Sequence, residues 1–263
     1  MKVGYLGPEG SYSQLACRRL CPQAQHVPYP NFHAAHASAV RGETDACVLP
    51  IENSLQGGVL QNLDLLKESP LVATDSYTLR IEHKLIYPEG SKLSDVRRVY
   101  SHDQAIGQCS KFLLEVIPDA EVIAVESTAK GVGMIRLPSD ACIGGSQLLR
   151  EGLTAYEGEI ADDPNNFTQF LFLQRGCDSW RHTERIFVVA VCENRPGSLA
   201  GLLNIMAGHG LDMTKIESRP IKQCHGEYSF FIEFKGDYLS EDIRGALEEM
   251  ERYCRRLKMI GAY

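Results

Sequence analysis

The order of elements in the last third of the chain constrains the fold most. The apolar run at residues 186–191 reads as a strand. A strand-to-helix turn follows, Arg195-Pro196-Gly197-Ser198-Leu199, and residues 211–220 close that pattern. A second strand run at residues 228–234 and a helical segment come next. The succession strand–helix–strand–strand–helix–strand is the plan of a small ferredoxin-like βαββαβ module.

The residues before this module alternate strand-like and helix-like segments, which predicts an α/β region with mainly parallel pairing. Strands are expected at 3–6, 46–49, 96–100, 121–125, 141–143 and 167–173. Helices are expected at 11–20, 31–41, 59–67, 103–116 and 128–137, with an extended segment at 77–87. The 263 residues are comfortable for two domains. A polar stretch at 177–184 with one Trp reads as a linker, which sets domains at 1–176 and 185–263.

With a net charge of −7 and no basic tract, the chain is expected to have no nucleic-acid partner. No apolar run approaches membrane-spanning length, and residues 1–6 enter a strand directly, so no membrane association and a cytoplasmic location are expected. The nine cysteines include no C-x-x-C pair. They read as reduced, buried small hydrophobes rather than metal ligands, and no metal or cofactor is expected.

Several segments share one design, in which a strand ends, a Gly, Ser or Thr follows, and a helix begins. Gly7-Pro8-Glu9-Gly10-Ser11-Tyr12-Ser13, Ser101-His102-Asp103 and Glu126-Ser127-Thr128 are examples. Such turns lie at the carboxyl ends of strands in open α/β sheets, where ligands bind. Helix N-termini and neutral hydroxyls there suit an anion with several oxygens, although each turn can equally be an ordinary helix cap. The spacing Gly4-x-x-Gly7-x-x-Gly10 is not a dinucleotide fingerprint, and no Walker A sequence is present.

Further motifs appear in order: Pro50-Ile51-Glu52-Asn53-Ser54, Leu79-x-Ile81-x-His83-x-Leu85, Ser101-His102-x-Gln104-Ala105-x-x-Gln108-Cys109, Ser127-Thr128-Ala129 and Asn166-Phe167-Thr168-Gln169-Phe170. In this order, and with the Gly-Ser-Leu-Ala and Glu-Ser-Arg-Pro segments at 197–200 and 217–220, the chain resembles prephenate dehydratases carrying a C-terminal amino-acid-sensing ACT domain. The resemblance covers nearly the whole chain. It implies a bilobal catalytic domain like periplasmic binding proteins, with crossovers near 77–87 and 162–167 and the site between the lobes. The implied reaction expels CO2 and water from prephenate to give phenylpyruvate, a step toward phenylalanine.

The resemblance assigns Thr168 to the leaving hydroxyl, and Asn53, Ser101 and Gln108 to substrate hydrogen bonding. Glu52 is either the proton donor, with burial raising its pKa, or a structural acceptor for loop N–H groups. Ser11, Ser13, Ser54, Gln169 and Phe170 are weaker substrate-binding candidates. His102 reads as a helix cap more than a general acid. The family has Arg where this chain has Gln169, which loses a permanent charge and a bidentate fork. The change matters if that position holds a substrate carboxylate, and is neutral if it faces an acidic neighbour.

In the sensor, Arg195, Pro196, Gly197, Ser198, Leu199, Ala200, Asp212, Glu217 and Ser218 are the implied phenylalanine-binding residues. Related proteins place the ligand between two paired sensors, which implies a homodimer or homotetramer. Two alternatives remain from the sequence: arogenate dehydratase, and a non-catalytic amino-acid-binding regulator.

Overall fold

A computed structural model describes residues 1–176, 183–221 and 226–263. The first lobe comprises β1 (Lys2–Leu6), α1 (Tyr12–Leu20), β2 (Gln25–Tyr29), α2 (Phe32–Arg41), β3 (Ala46–Asn53), the short β4 (Gly57–Gly58), α3 (Leu60–Glu68) and β5 (Leu71–Arg80). The chain then crosses to a second lobe. It contains β6 (Lys84–Pro88), β7 (Arg98–Ser101), α4 (Asp103–Gly107), α5 (Ser110–Val116), β8 (Glu121–Ala124), α6 (Thr128–Val132), β9 (Asp140–Gly144) and β10 (Leu153–Ala155). β11 (Phe167–Arg175) returns to the first lobe. The C-terminal module, the expected sensor, follows with β12 (Arg185–Val191), α7 (Ser198–Gly208), β13 (Met213–Pro220), β14 (Tyr228–Lys235), α8 (Glu241–Tyr253) and β15 (Arg256–Ala262). This is the α/β region and ferredoxin-like module that the sequence pattern predicts, with the two lobes that the family resemblance implies. Residues 177–182 of the expected linker lie outside the described residues.

Local chemistry sets the helix ends. Ser11 caps α1 by accepting from the Gln14 N–H, and Asn31 caps α2 by accepting from the Ala34 N–H. α2 stops at Gly42, whose φ of +77° suits a left-handed C-cap. The helix expected over 103–116 breaks at Gln108 and Cys109 into α4 and α5. The helix expected over 128–137 ends early at Val132, beside Gly131 and Gly133.

Pairing is mixed rather than mainly parallel. β1 runs parallel to β2 and β3, and β7 runs parallel to β8 and β9. The returning strand β11 is antiparallel to both β3 and β5, because it carries the chain back from the second lobe. β2 contains Pro28 and pairs on one side alone, as a proline-bearing edge strand must.

Among the described residues, one sheet runs β13-β14-β12-β15-β5-β11-β3-β1-β2 through sensor and first lobe alike. The two halves meet at a single parallel bridge between Gly261 and Ala73. A Cβ on Gly261 would fall 2.2 Å from the Ala73 carbonyl oxygen, so only glycine allows this approach. A shared core reinforces the junction: Phe187, Val189, Phe231 and Ile260 of the sensor pack with Leu49, Ile51, Leu66 and Leu171 of the lobe. Each such side chain contributes roughly 1.5–3 kcal/mol on burial.

Seven cysteines lie among the described residues; six are buried, and Cys21 is partly so. Burial pushes the Cys47, Cys109, Cys142 and Cys254 thiols up to about 12, as inert core residues require. Cys177 and Cys224 fall outside the described residues.

Candidate active site

The two lobes enclose a cleft of about 1000 Å³. The first lobe lines it with the start of α1, including Ser11 and Ser13, and with Asn53 and the Gly57-Gly58-Val59 turn. The second lobe contributes the starts of α4 and α6 and the helix break at Gln108. β11 adds Thr168 and Phe170, and the crossing segment adds His83. Helix starts, hydroxyls and amides therefore converge on one space. Among the described residues, Glu9, Glu126 and Lys130 are its charged lining groups, and Glu126 and Lys130 pair with each other.

A hydrogen-bond chain runs along one wall. Asn53 Oδ1 accepts from the Leu55 and Gln56 N–H groups, each at 3.1 Å. Its Nδ2 donates to Thr168 Oγ1 at 3.0 Å and to Asn166 Oδ1 at 2.7 Å. Asn166 Nδ2 donates to Gln108 Oε1 at 3.1 Å, and His83 Nε2 lies 2.8 Å from that same oxygen. Burial pushes the His83 pKa below its ordinary value, and this outweighs the bond to Gln108, which acts in the other direction. The imidazole is therefore held neutral at pH 7.

Four expected site residues lie outside this space. Glu52 precedes Asn53 on β3, and successive strand residues face opposite sides. Its carboxylate points to the sensor, with Oε2 3.1 Å from Lys215 Nζ. That corrects the expectation of Glu52 as a proton donor in the cleft. Gln169 follows Thr168 on β11 and is turned away for the same reason, with Nε2 3.0 Å from Glu233 Oε2. Of the two consequences open for the Arg-to-Gln difference, the structure shows the acidic neighbour. Ser101 is fully buried and donates to the Ile143 carbonyl. Ser54 donates to the Asn165 carbonyl and accepts from the Phe167 N–H. His102 caps α4 through Nδ1, which accepts from the Gln104 N–H.

His83 and Asn166 stand within the sequence motifs, but nothing in those motifs marks a role for either. They come into register with Gln108 and Asn53 only when the crossing segments close the cleft.

The Glu233 carboxylate is the hub of the junction between the first lobe and the C-terminal module. It accepts from Gln169 and Tyr263 through one oxygen and from Thr214 and Arg185 through the other. Burial raises its pKa, but these hydrogen bonds outweigh burial and hold it below the ordinary carboxylate range. On β13, Lys215, Glu217 and Arg219 all face the first lobe. Glu217 Oε2 lies 3.5 Å from where a Cβ of Gly58 would sit, and Arg219 pairs with Asp64.

The expected phenylalanine-binding residues do not form one cluster within a chain. Arg195 to Ala200 surround the start of α7, where Gly197 has φ +83° and no atom of the described residues lies within 4 Å of a Cβ placed on it. The buried Ser198 Oγ there has no hydrogen-bond partner among the described residues. Asp212 follows the far end of this 11-residue helix, which is about 16 Å long, and pairs with Lys235. Glu217 faces the first lobe instead of the helix layer, and Ser218 faces the opposite way, as strand alternation requires.

A family model described as prephenate dehydratase matches residues 3–178, and one described as ACT domain matches residues 186–252. The bifunctional chorismate mutase/prephenate dehydratase of Neisseria gonorrhoeae is 33% identical over 268 residues, covering 100% of this chain and 74% of that protein. The chloroplastic arogenate dehydratase/prephenate dehydratase 2 of Arabidopsis thaliana is 32% identical over 279 residues, covering 100% and 72%. The structure of prephenate dehydratase in complex with L-Phe from Arthrobacter aurescens has a TM-score of 0.90 at 28% identity, covering 100% of this chain and 89% of that one.

Proposed function

The chain belongs to the prephenate dehydratase family and carries an ACT domain, and we propose that its cleft dehydrates and decarboxylates prephenate while its sensor binds phenylalanine. The observation that carries this reading is the Asn53–Thr168 bond at 3.0 Å on the cleft wall. The Asn53 amide can only donate to Thr168, so the threonine O–H is left to donate to a ligand.

Prephenate is a dianion whose ring hydroxyl leaves poorly unless a donor stabilises it. Thr168 supplies that donor at the leaving oxygen. The ring carboxylate departs as CO2, the C–O electrons leave with the hydroxyl, and one proton from solvent completes the water. Gln108, Ser13 and the N-terminus of α1 meet the remaining carboxylate oxygens, while the Ser11 hydroxyl is spent on the Leu6 carbonyl and the α1 cap. Phe170 packs against the ring. Neutral donors suit this substrate, because they hold negative oxygens without a fixed cation blocking carboxylate departure.

Phenylalanine binds at the start of α7, with its carboxylate on the first-turn N–H groups and the Ser198 hydroxyl. Asp212 is too far away to contribute from the same chain. A second copy of the sensor, related by a two-fold axis, supplies it to the ammonium, so the working enzyme is at least a homodimer. A cytoplasmic location fits such an enzyme.

Purified protein assayed with prephenate and with arogenate, with and without phenylalanine, tests the reading. Phenylpyruvate formation from prephenate, inhibited by phenylalanine, is expected. Preference for arogenate would reassign the substrate, and no turnover of either would overturn the catalytic reading.

A further inference from the structure

The hydrogen-bond chain behind Thr168 has only one polarity. Two backbone N–H groups at Leu55 and Gln56 can only donate, so Asn53 must turn its oxygen to them and its NH2 toward Thr168 and Asn166. Asn166 must then present its oxygen to Asn53 and its NH2 to Gln108. Gln108 must answer with its oxygen, which in turn requires a proton on His83 Nε2. His83 Nδ1 is left bare, and this buried atom has no partner among the described residues.

We propose that Asn166 and His83 are positioning residues that carry the polarity set at Asn53 on to Gln108, so that the Gln108 NH2 faces the cleft beside the Thr168 O–H. The inference rests on the reading of the cleft as a site for an anionic substrate. The Gln108 oxygen is saturated by two donors, at 2.8 and 3.1 Å. Its NH2 has no hydrogen bond to the described residues, and the side chain lines the cleft. The Thr168 oxygen accepts from Asn53, and its O–H has none either. Reversing any link would turn an oxygen lone pair toward the substrate's carboxylates. The proton on His83 Nε2 thus fixes which end of the Gln108 amide faces the cleft, while the Leu55 and Gln56 N–H groups fix Asn53 and, through it, Thr168.

Two measurements test this. Nitrogen NMR of histidine-labelled protein should show His83 as the neutral Nε2–H tautomer at assay pH, with His83→Gln identifying its signals. This needs neither substrate nor turnover, so it stands apart from the family reading. An Nδ1–H tautomer would overturn the proposal. Asn166→Asp keeps the size but puts an acceptor against the Gln108 oxygen. It should lower kcat/KM by about 10²-fold or more and move His83 to the Nδ1–H tautomer, while phenylalanine still binds the sensor by calorimetry. A folded Asn166→Asp protein within about threefold of wild-type kcat/KM, or one with an unchanged tautomer, would also overturn it. If that variant does not fold, Asn166→Ser serves instead: its hydroxyl can both accept from Asn53 and donate to Gln108. A loss of about tenfold in kcat/KM is expected, with the tautomer retained. A switched tautomer in Asn166→Ser would count against the proposal.

Discussion

Lys215 of the sensor and Glu52 of the first lobe form an ion pair, Nζ to Oε2 at 3.1 Å, with the lysine side chain only 5% exposed. Glu52 adjoins Asn53, which holds Thr168, so a movement of β13 pulls on the strand that orders the cleft. Lys215→Ala should weaken inhibition by phenylalanine about tenfold, while kcat without phenylalanine stays within about threefold of wild type. Dose–response curves check this; an unchanged half-inhibitory concentration would remove the pair from the regulatory route.

Thr168→Ala should lower kcat by about 10²–10³-fold with little change in KM, because its bond to the leaving oxygen strengthens in the transition state. Thr168→Ser restores the hydroxyl and should recover much of the loss. Steady-state kinetics on both variants decide, and near-normal turnover in the alanine protein would exclude the assigned role.

Gln169→Arg should leave KM for prephenate within about twofold of wild type. The side chain faces Glu233 across the domain junction and not the cleft. The added charge should instead raise the thermal midpoint by pairing with a buried carboxylate. A clear fall in KM would show that this position reaches the substrate after all.

Glu233 links junction stability to pH. Its folded pKa lies below the unfolded value of about 4.3. Its stabilisation is therefore complete above that value and is lost as pH falls through the lower, folded one. Glu233→Gln should cost about 1–3 kcal/mol at pH 7, and the wild-type and variant curves should converge on acidification. Denaturant unfolding from pH 7 to pH 3 provides the comparison; parallel curves would count against this role for the carboxylate.

Gly197→Val should abolish phenylalanine binding while leaving basal turnover intact. No atom of the described residues lies within 4 Å of a Cβ at this position, but a β-branched residue at φ +83° is strained and would move the start of α7. Calorimetry with phenylalanine is the check, and wild-type affinity would argue against a site at this turn.

The element order was legible because helix periods and turn residues are local. So was the grouping of Asn53, Gln108 and Thr168, carried by motifs of known order. Which way Glu52 and Gln169 face was not. β3 is buried along nearly its whole length, so it shows no polar alternation to mark its two sides. His83, Gln108 and Asn166 were legible as motif members, but their mutual bonds depend on two crossings closing across 83 residues of chain. β2 is not legible in the sequence, because Pro28 weakens a strand pattern that survives only at a sheet edge.

The back-to-back placement of residues on β3 and β11 limits which changes these strands tolerate. Asn53 and Thr168 are register partners on one side, and Glu52 and Gln169 are partners on the other. Inserting or deleting one residue ahead of them would exchange the two sides, turning Glu52 and Gln169 into the cleft and Asn53 and Thr168 toward the sensor. Substitutions in these strands can thus alter catalysis or regulation separately, whereas a change in strand length disturbs both at once. Length variation in relatives should therefore collect in the turns and spare these two segments.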